Sequence, residues 1–165
     1  MKYKINAVYF SATGTTKKTV ERLAEELSQN FNEKTINFKD FTLPAGREDT
    51  LHFNEQDIVI VGVPVYAGRV PNVILNYLKG IKADGAKAIA VVLYGNRNYD
   101  DALIELKDIL GRNGFNVTAA GAFIGEHSFS KILAKNRPDE KDLEKVSDFA
   151  KQIYLKISSE NVKEP

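Results

Sequence analysis

Short apolar runs alternate with amphipathic stretches along the chain. Residues 58–63 (IVIVGV) are β-branched apart from one glycine, and the run is too short for a buried helix, so it predicts a central strand covered on both faces. Residues 5–10 (INAVYF) form a similar run that leads into serine, threonine and glycine, as a strand entering a loop does. The pattern predicts five strands, at residues 5–10, 35–38, 58–63, 87–94 and 116–124.

Between these runs the apolar residues recur at intervals of three and four, which predicts helices that pack on a sheet. Two such stripes are Val20, Leu23, Ala24, Leu27 and Phe31, and Ala102, Leu106, Ile109 and Leu110. A further helix has Pro71 in its first turn and Gly80 at its end, and the last begins near residues 138–139. We expect a single domain over residues 1–158 and a frayed tail over 159–165.

Strands that alternate with helices predict right-handed crossovers and a parallel sheet with helices on both faces. Five strands suit a doubly wound sheet of order 2-1-3-4-5 in a three-layer α/β/α arrangement. Ligands of such sheets bind beyond the carboxyl ends of the strands, where the winding reverses. The loops after the first and third strands should therefore face each other, with the loop after the fourth strand alongside.

The composition excludes several kinds of partner and of functional site. The chain has 165 residues, 23 basic and 22 acidic, so it has no strong field to attract nucleic acid or an anionic membrane. It has no cysteine, which excludes disulfides, thiolate metal sites and thiol nucleophiles, and His52 and His127 have no partner at metal-ligand spacing. No signal-peptide pattern or apolar run of about 20 residues is present, and we expect a cytoplasmic protein that binds neither membrane nor nucleic acid.

The loop after the first strand, called the first loop here, is rich in hydroxyl groups. It consists of Ser11, Ala12, Thr13, Gly14, Thr15 and Thr16. Four hydroxyls and the free N–H groups of a helix start favour a phosphate, and the helix dipole adds to this preference. A helix cap alone would need only one or two of these hydroxyls. The loop lacks the Gly-Lys-Ser/Thr ending of a Walker A motif and is not a Gly-x-Gly-x-x-Gly turn.

Two further loops carry aromatic and small residues. The second loop (residues 64–71) contains Pro64, Val65, Tyr66, Ala67, Gly68, Arg69, Val70 and Pro71. Its two prolines stiffen a segment in which Tyr66 either faces a planar ligand or covers a neighbouring side chain, and Gly68 allows a ligand to approach the backbone. The third loop (residues 94–101) brings Gly95, Asn96, Arg97 and Tyr99 to the same edge of the sheet. Asp100 is either the N-cap of the next helix or a ligand contact, and Asp101 is a first-turn charge that complements the helix dipole.

These loops resemble those of the flavodoxin family. The segment Thr13-Gly14-Thr15-Thr16, directly after an N-terminal strand, is similar to the flavodoxin T-G-x-T signature. The Val-Pro-Val-Tyr-Ala-Gly and Tyr-Gly-Asn-Arg segments are similar to the loops that enclose the isoalloxazine ring. The third-loop turn also resembles flavodoxin-like modules that are fused to a bacterial-type ferredoxin, a module that needs cysteines this chain does not have.

The resemblance implies a non-covalent FMN cofactor. It implies that the first loop, Ser11 to Thr16, binds the FMN phosphate, and that Pro64 to Gly68 and Gly95 to Tyr99 frame the ring. Either Tyr66 or Tyr99 would stack on the flavin. The chain lacks the Trp found in the second loop of many flavodoxins, and its net charge of +1 differs from their strongly acidic surface.

The function implied is electron transfer between redox partner proteins, such as a ferredoxin-type module or a reductase. The alternative is an FMN-dependent NAD(P)H:quinone or small-molecule oxidoreductase on the same fold, in which hydride passes directly to the flavin. A phosphorylated signalling domain with related strand order is disfavoured, because the sequence has no acidic cluster after the first strand.

Overall fold

The computed structural model describes residues 2–95, 98–125 and 136–163. A five-stranded parallel sheet lies at the centre, with a second, two-stranded sheet beside it. The strands in chain order are β1 (Lys4–Tyr9), β2 (Ile36–Asp40), β3 (His52–Asn54), β4 (Asp57–Pro64), β5 (Lys82–Asp84), β6 (Lys87–Tyr94) and β7 (Asn116–Ile124). The helices are α1 (Thr15–Asn30), α2 (Leu75–Gly80), α3 (Ala102–Arg112) and α4 (Glu140–Lys163).

The order of the main sheet is β2-β1-β4-β6-β7, which is the predicted 2-1-3-4-5 order. All neighbouring pairs are parallel. Because β2 lies on one side of β1 and the later strands lie on the other, the chain reverses its winding between β1 and β4. The predicted fold class is therefore confirmed, and the loops after β1, β4 and β6 emerge at the same edge.

Two hydrophobic clusters fill the two faces of the sheet. Alternate residues of β4 divide between them: Ile58 and Ile60 face α1 and α4, whereas Val59 and Val61 face α2 and α3. Burial on both faces explains why the central strands are almost continuously apolar. This arrangement gives the predicted three layers.

Helix α1 lies unusually close to the sheet. A Cβ atom on Gly62 of β4 would lie 2.3 Å from Cγ2 of Val20 and 3.2 Å from Cγ2 of Thr16. A side chain at this position would push the helix outward. Gly62 therefore fixes the height of α1, and with it the position of the first loop.

Three local features differ from the sequence predictions. The short strands β3 and β5 pair in parallel, although neither was predicted, because three residues are too few to show a period. Pro71 lies before a short 3₁₀ turn, Asn72–Ile74, and α2 begins only at Leu75. Helix α4 continues to Lys163 instead of fraying after residue 158, because Tyr3 Oη donates a hydrogen bond to Asn161 Oδ1 (3.0 Å) and Ile157 is fully buried.

In the described part of the chain, no helix is both long and apolar enough to cross a membrane.

Candidate functional site

The first loop ends in a left-handed glycine that starts α1. Gly14 has φ +88° and occupies the N-cap position without any side-chain cap. Ser11 fixes the loop on both sides: its N–H donates to Thr42 Oγ1 (2.9 Å), and its Oγ accepts from the N–H of Lys17 (3.0 Å). The loop is therefore held at its start and at the first turn of the helix, while its middle is exposed.

The main-chain N–H groups of residues 12–16 have no acceptor among the described residues. The hydroxyls of Thr13 and Thr15 lie 3.2 Å apart at the same place and cap no N–H group. A helix cap therefore does not account for them. This set of unpaired donors at the positive end of a 16-residue helix fits an anionic group.

Thr16 differs from the other hydroxyl residues of the first loop. It is only 1% exposed, and its methyl group lies beside Gly62 on the sheet side of α1. Its place in the fold is that of a packing residue that also carries a main-chain N–H at the helix start.

Thr15 lies against a residue that the sequence analysis missed. A Cβ atom on Gly125, directly after β7, would lie 3.0 Å from Thr15 Oγ1, and the N–H of Gly125 donates to the carbonyl of Tyr94 (3.0 Å). The end of β7 is thus a wall of the first loop. The only signal in the sequence was a glycine at the end of the fifth predicted strand.

The second loop contains a tight turn over residues 66–69. Tyr66 and Arg69 exchange two main-chain hydrogen bonds (2.9 and 3.0 Å), and the two residues between them, Ala67 and Gly68, have φ of +51° and +76°. Positive φ at both central positions is typical of a type I′ turn. The loop is thus shaped by hydrogen bonds as well as by its prolines.

Helix α3 holds this turn from outside. The Gly68 carbonyl accepts from the N–H of Asp101 (3.1 Å), and a Cβ on Gly68 would lie 2.5 Å from Asp100 Oδ2. Glu105, in the first turn of α3, accepts hydrogen bonds from Arg69 and from the N–H of Val70 (2.8 Å). The Arg69 guanidinium holds the pKa of Glu105 below its usual value. Sequence analysis missed Glu105, because nothing local links it to a loop 35 residues earlier.

The aromatic residues of the loops are half-buried. The Tyr66 ring meets Phe10 edge to face, with centroids 6.3 Å apart, and burial raises the pKa of its phenol. Tyr99 lies against Tyr94 at 5.5 Å. Both candidate stacking residues thus have an aromatic neighbour, and the choice between them stays open.

Pro64 is the last residue of β4, and Val65 continues the strand's line, because its N–H donates to the Leu93 carbonyl of β6 (2.9 Å). In the third loop Gly95 and Tyr99 are half-buried, whereas Asn96 and Arg97 lie outside the described residues. Asp101 takes the N-cap position of α3 but makes no side-chain cap.

Among the described residues, no cluster of three or more metal-ligating side chains is found. His52 is paired with Asp84 (Nε2 to Oδ2, 2.7 Å) on the exposed surface, where β3 meets β5. His127 lies outside the described residues.

A family model described as "Flavodoxin domain" matches residues 7–126. No curated protein matches the sequence significantly. Among solved structures, an archaeal flavodoxin is similar with a TM-score of 0.62 and 16% identity, covering 94% of this chain and 99% of that one.

Two solved oxidoreductases are also similar. For rubredoxin:oxygen oxidoreductase from Desulfovibrio gigas the TM-score is 0.65 at 20% identity, over 96% of this chain but 37% of that one. The apo form of the NADH:FMN oxidoreductase EmoB gives 0.62 at 16% identity, over 93% and 89% of the two chains. At these identities the likeness establishes the fold alone.

Proposed function

The chain belongs to the flavodoxin family, and from this premise we propose that it binds FMN non-covalently and carries electrons between redox proteins. The observation that carries the proposal is the cluster of unpaired N–H groups over residues 12–16, beside the hydroxyls of Thr13 and Thr15. Main-chain donors at a helix start that have no acceptor among the described residues, beside two exposed hydroxyls, are placed to bind an anion.

The first loop would hold the phosphate. Thr13 and Thr15 would donate through their hydroxyls, and Gly14 leaves room because no described residue lies within 4 Å of where its Cβ would be. Thr16 would contribute its N–H, since its side chain packs on the sheet. Ser11 positions the loop through Thr42 and Lys17.

The second and third loops would frame the ring. The 66–69 turn is held by two main-chain hydrogen bonds and carries the aromatic side chain of Tyr66. Tyr99 supplies a second aromatic side chain from the third loop. When bound, FMN supplies chemistry of one or two electrons. The residues of this chain would bind it, orient it and shield it from water, and none would act as acid, base or nucleophile.

The direct test is reconstitution. Purified protein incubated with FMN and then dialysed should stay yellow, with flavin absorbance bands near ~375 and ~450 nm. A colourless protein after dialysis, with the first loop unaltered, would remove the proposal.

A second measurement separates the carrier from the reductase. The loaded protein mixed with NADH or NADPH and a quinone should oxidise the nicotinamide no faster than free FMN does, yet exchange electrons rapidly with a reduced ferredoxin. Steady nicotinamide oxidation by the pure protein would instead support the oxidoreductase.

A further inference from the structure

Glu105 of α3 accepts three hydrogen bonds from the second loop. Its oxygens accept from Arg69 Nε (3.2 Å), from Arg69 Nη2 and from the N–H of Val70 (2.8 Å). The Glu105 side chain is only 15% exposed, whereas that of Arg69 is 60% exposed. One partly buried carboxylate thus takes three donors from two consecutive residues.

These contacts end on the turn that would face the ring. Arg69 closes the 66–69 turn through its two main-chain hydrogen bonds with Tyr66, so a bond to Arg69 or Val70 restrains the turn itself. The same helix start holds Gly68 through the N–H of Asp101. Since α3 directly follows the third loop, the second and third loops are connected to one rigid element.

An ordinary surface ion pair would not have this effect, because solvent and side-chain entropy cancel most of its energy. The Glu105 contact differs in being bidentate toward a planar guanidinium and in including a main-chain donor, which fixes backbone as well as side chain. The turn also needs restraint, because Ala67 has φ +51°, a conformation that an alanine rarely adopts.

We propose that Glu105, acting through Arg69 and the N–H of Val70, is a positioning residue that holds the second loop in the shape that receives the flavin ring. This inference rests on the proposed FMN function. It assigns to α3 a role in cofactor affinity, although Glu105 itself belongs to none of the three loops.

The test compares E105Q with E26Q. Glutamine preserves size but removes the charge and turns one acceptor into a donor. Glu26 is the matched control, because it also pairs with an arginine, Arg22 (3.1 Å), and is 27% exposed, yet it lies about 17 Å along α1 from Thr15. Dissociation constants for FMN and for riboflavin are measured by quenching of flavin fluorescence, together with the visible circular dichroism of the bound flavin.

We expect E105Q to weaken the binding of FMN and of riboflavin by the same factor, about tenfold. The lost hydrogen bonds shape the loop that would contact the ring, which both flavins have, and not the loop that would contact the phosphate. Its visible dichroism should change as the ring environment loosens, and E26Q should match the wild type in both measurements. The double variant T13A/T15A should weaken the binding of FMN but not that of riboflavin, and it should leave the visible dichroism of the bound flavin unchanged.

Equal affinities and equal dichroism for E105Q and wild type would overturn the inference while leaving the proposed function intact. Failure of the wild type to bind FMN would instead overturn the proposed function. If E105Q does not fold, R69Q replaces it: this variant keeps the bond to Val70, and it should weaken both flavins by a smaller common factor. An R69Q variant that binds both flavins like the wild type would overturn the inference as well.

Discussion

The first loop leaves the main-chain N–H groups of residues 12–16 without acceptors in the described part of the chain, whereas in the second loop the N–H groups of Val65, Tyr66, Arg69 and Val70 all have one. Both loops leave the same edge of the same sheet. The main-chain donors are used differently: those of residues 12–16 are left for an acceptor outside the described residues, whereas these four donors of the second loop bond within the turn or to β6 and α3. The second loop is therefore tied through its donors to the strand and helix beside it, and residues 12–16 of the first loop are not.

Removing the hydroxyls of the first loop should have the largest effect. We expect a T13A/T15A variant to bind FMN about 100-fold more weakly, about 3 kcal/mol, because each hydroxyl would donate to a charged phosphate. Riboflavin, which has no phosphate, should bind as it does to the wild type. Fluorescence titration measures both.

The control for this variant is Thr50→Ala, at an exposed threonine whose hydroxyl makes no hydrogen bond to the residues that the structure describes. If T13A/T15A weakened riboflavin as much as FMN, the first loop would not be the phosphate site.

Alanine substitutions at one glycine in each loop test which loop is more tightly constrained. Gly14 and Gly68 both have positive φ, but a Cβ at Gly14 would meet no atom of the described chain within 4 Å, whereas one at Gly68 would meet Asp100. We expect Gly68→Ala to cost about 3 kcal/mol of unfolding free energy and Gly14→Ala about 1 kcal/mol, since only the former adds a steric clash to backbone strain. Urea unfolding of the apo-protein gives both values.

Gly111→Ala in α3 is the matched control, because its surroundings are open, its φ is not positive, and alanine should slightly stabilise the helix. Equal costs at Gly14 and Gly68 would show that the second loop is no more constrained than the first.

Acid stability tests whether the first loop also depends on a distant ion pair. Lys18 of α1 donates to the carbonyl of Pro138 (3.1 Å), next to Arg137, which binds the buried carboxylate of Asp142. The hydrogen bonds from Arg137, helped by the N–H of Asp139, lower the pKa of Asp142 to about 2 from 3.8. A carboxyl whose pKa is lower in the folded than in the unfolded protein stabilises the fold at any pH above the unfolded pKa. This stabilisation is lost as the pH falls from about 4 toward 2.

The contribution is about 2 kcal/mol at neutral pH. Asp142→Asn should therefore lower the unfolding free energy by at least this amount at pH 7, and the difference from wild type should shrink toward pH 2. If the first loop is determined locally, the folded variant keeps the FMN affinity of the wild type. A pH-independent difference would contradict the assigned ionisation.

The smallest effect is expected at Ala67. Replacing it with glycine relieves the strain of φ +51° but adds freedom to the unfolded chain, so we expect a net stabilisation of about 0.5 kcal/mol. Thermal unfolding measures it, with Ala45→Gly in the exposed 3₁₀ segment Pro44–Arg47 as a control that should not be stabilised. A destabilised Ala67→Gly would show that the turn is not strained.

The sequence predicted what depends on neighbours in the chain. The central strands β1, β4 and β6 were recognised as mostly apolar runs, and the parallel, doubly wound sheet followed from the alternation of strands with helices. The first loop was recognisable because all of its donors lie within six residues.

What the sequence could not predict depends on contacts between distant residues. Glu105 is 35 residues from Val70, Gly125 is 110 residues from Thr15, and the last turn of α4 is held by Tyr3 at the other end of the chain. No period or motif marks such contacts. The predicted roles of Asn96 and Arg97 stay predictions, since both lie outside the described residues.

The bond between Tyr3 and Asn161 has a practical consequence for fusion proteins. A tag or second protein joined before Tyr3 or after α4 would start from the amino edge of the sheet, and the six residues of β1, about 20 Å, separate that edge from the first loop. The point of attachment would therefore lie at the edge of the sheet opposite the three loops, and the join itself would not occupy them.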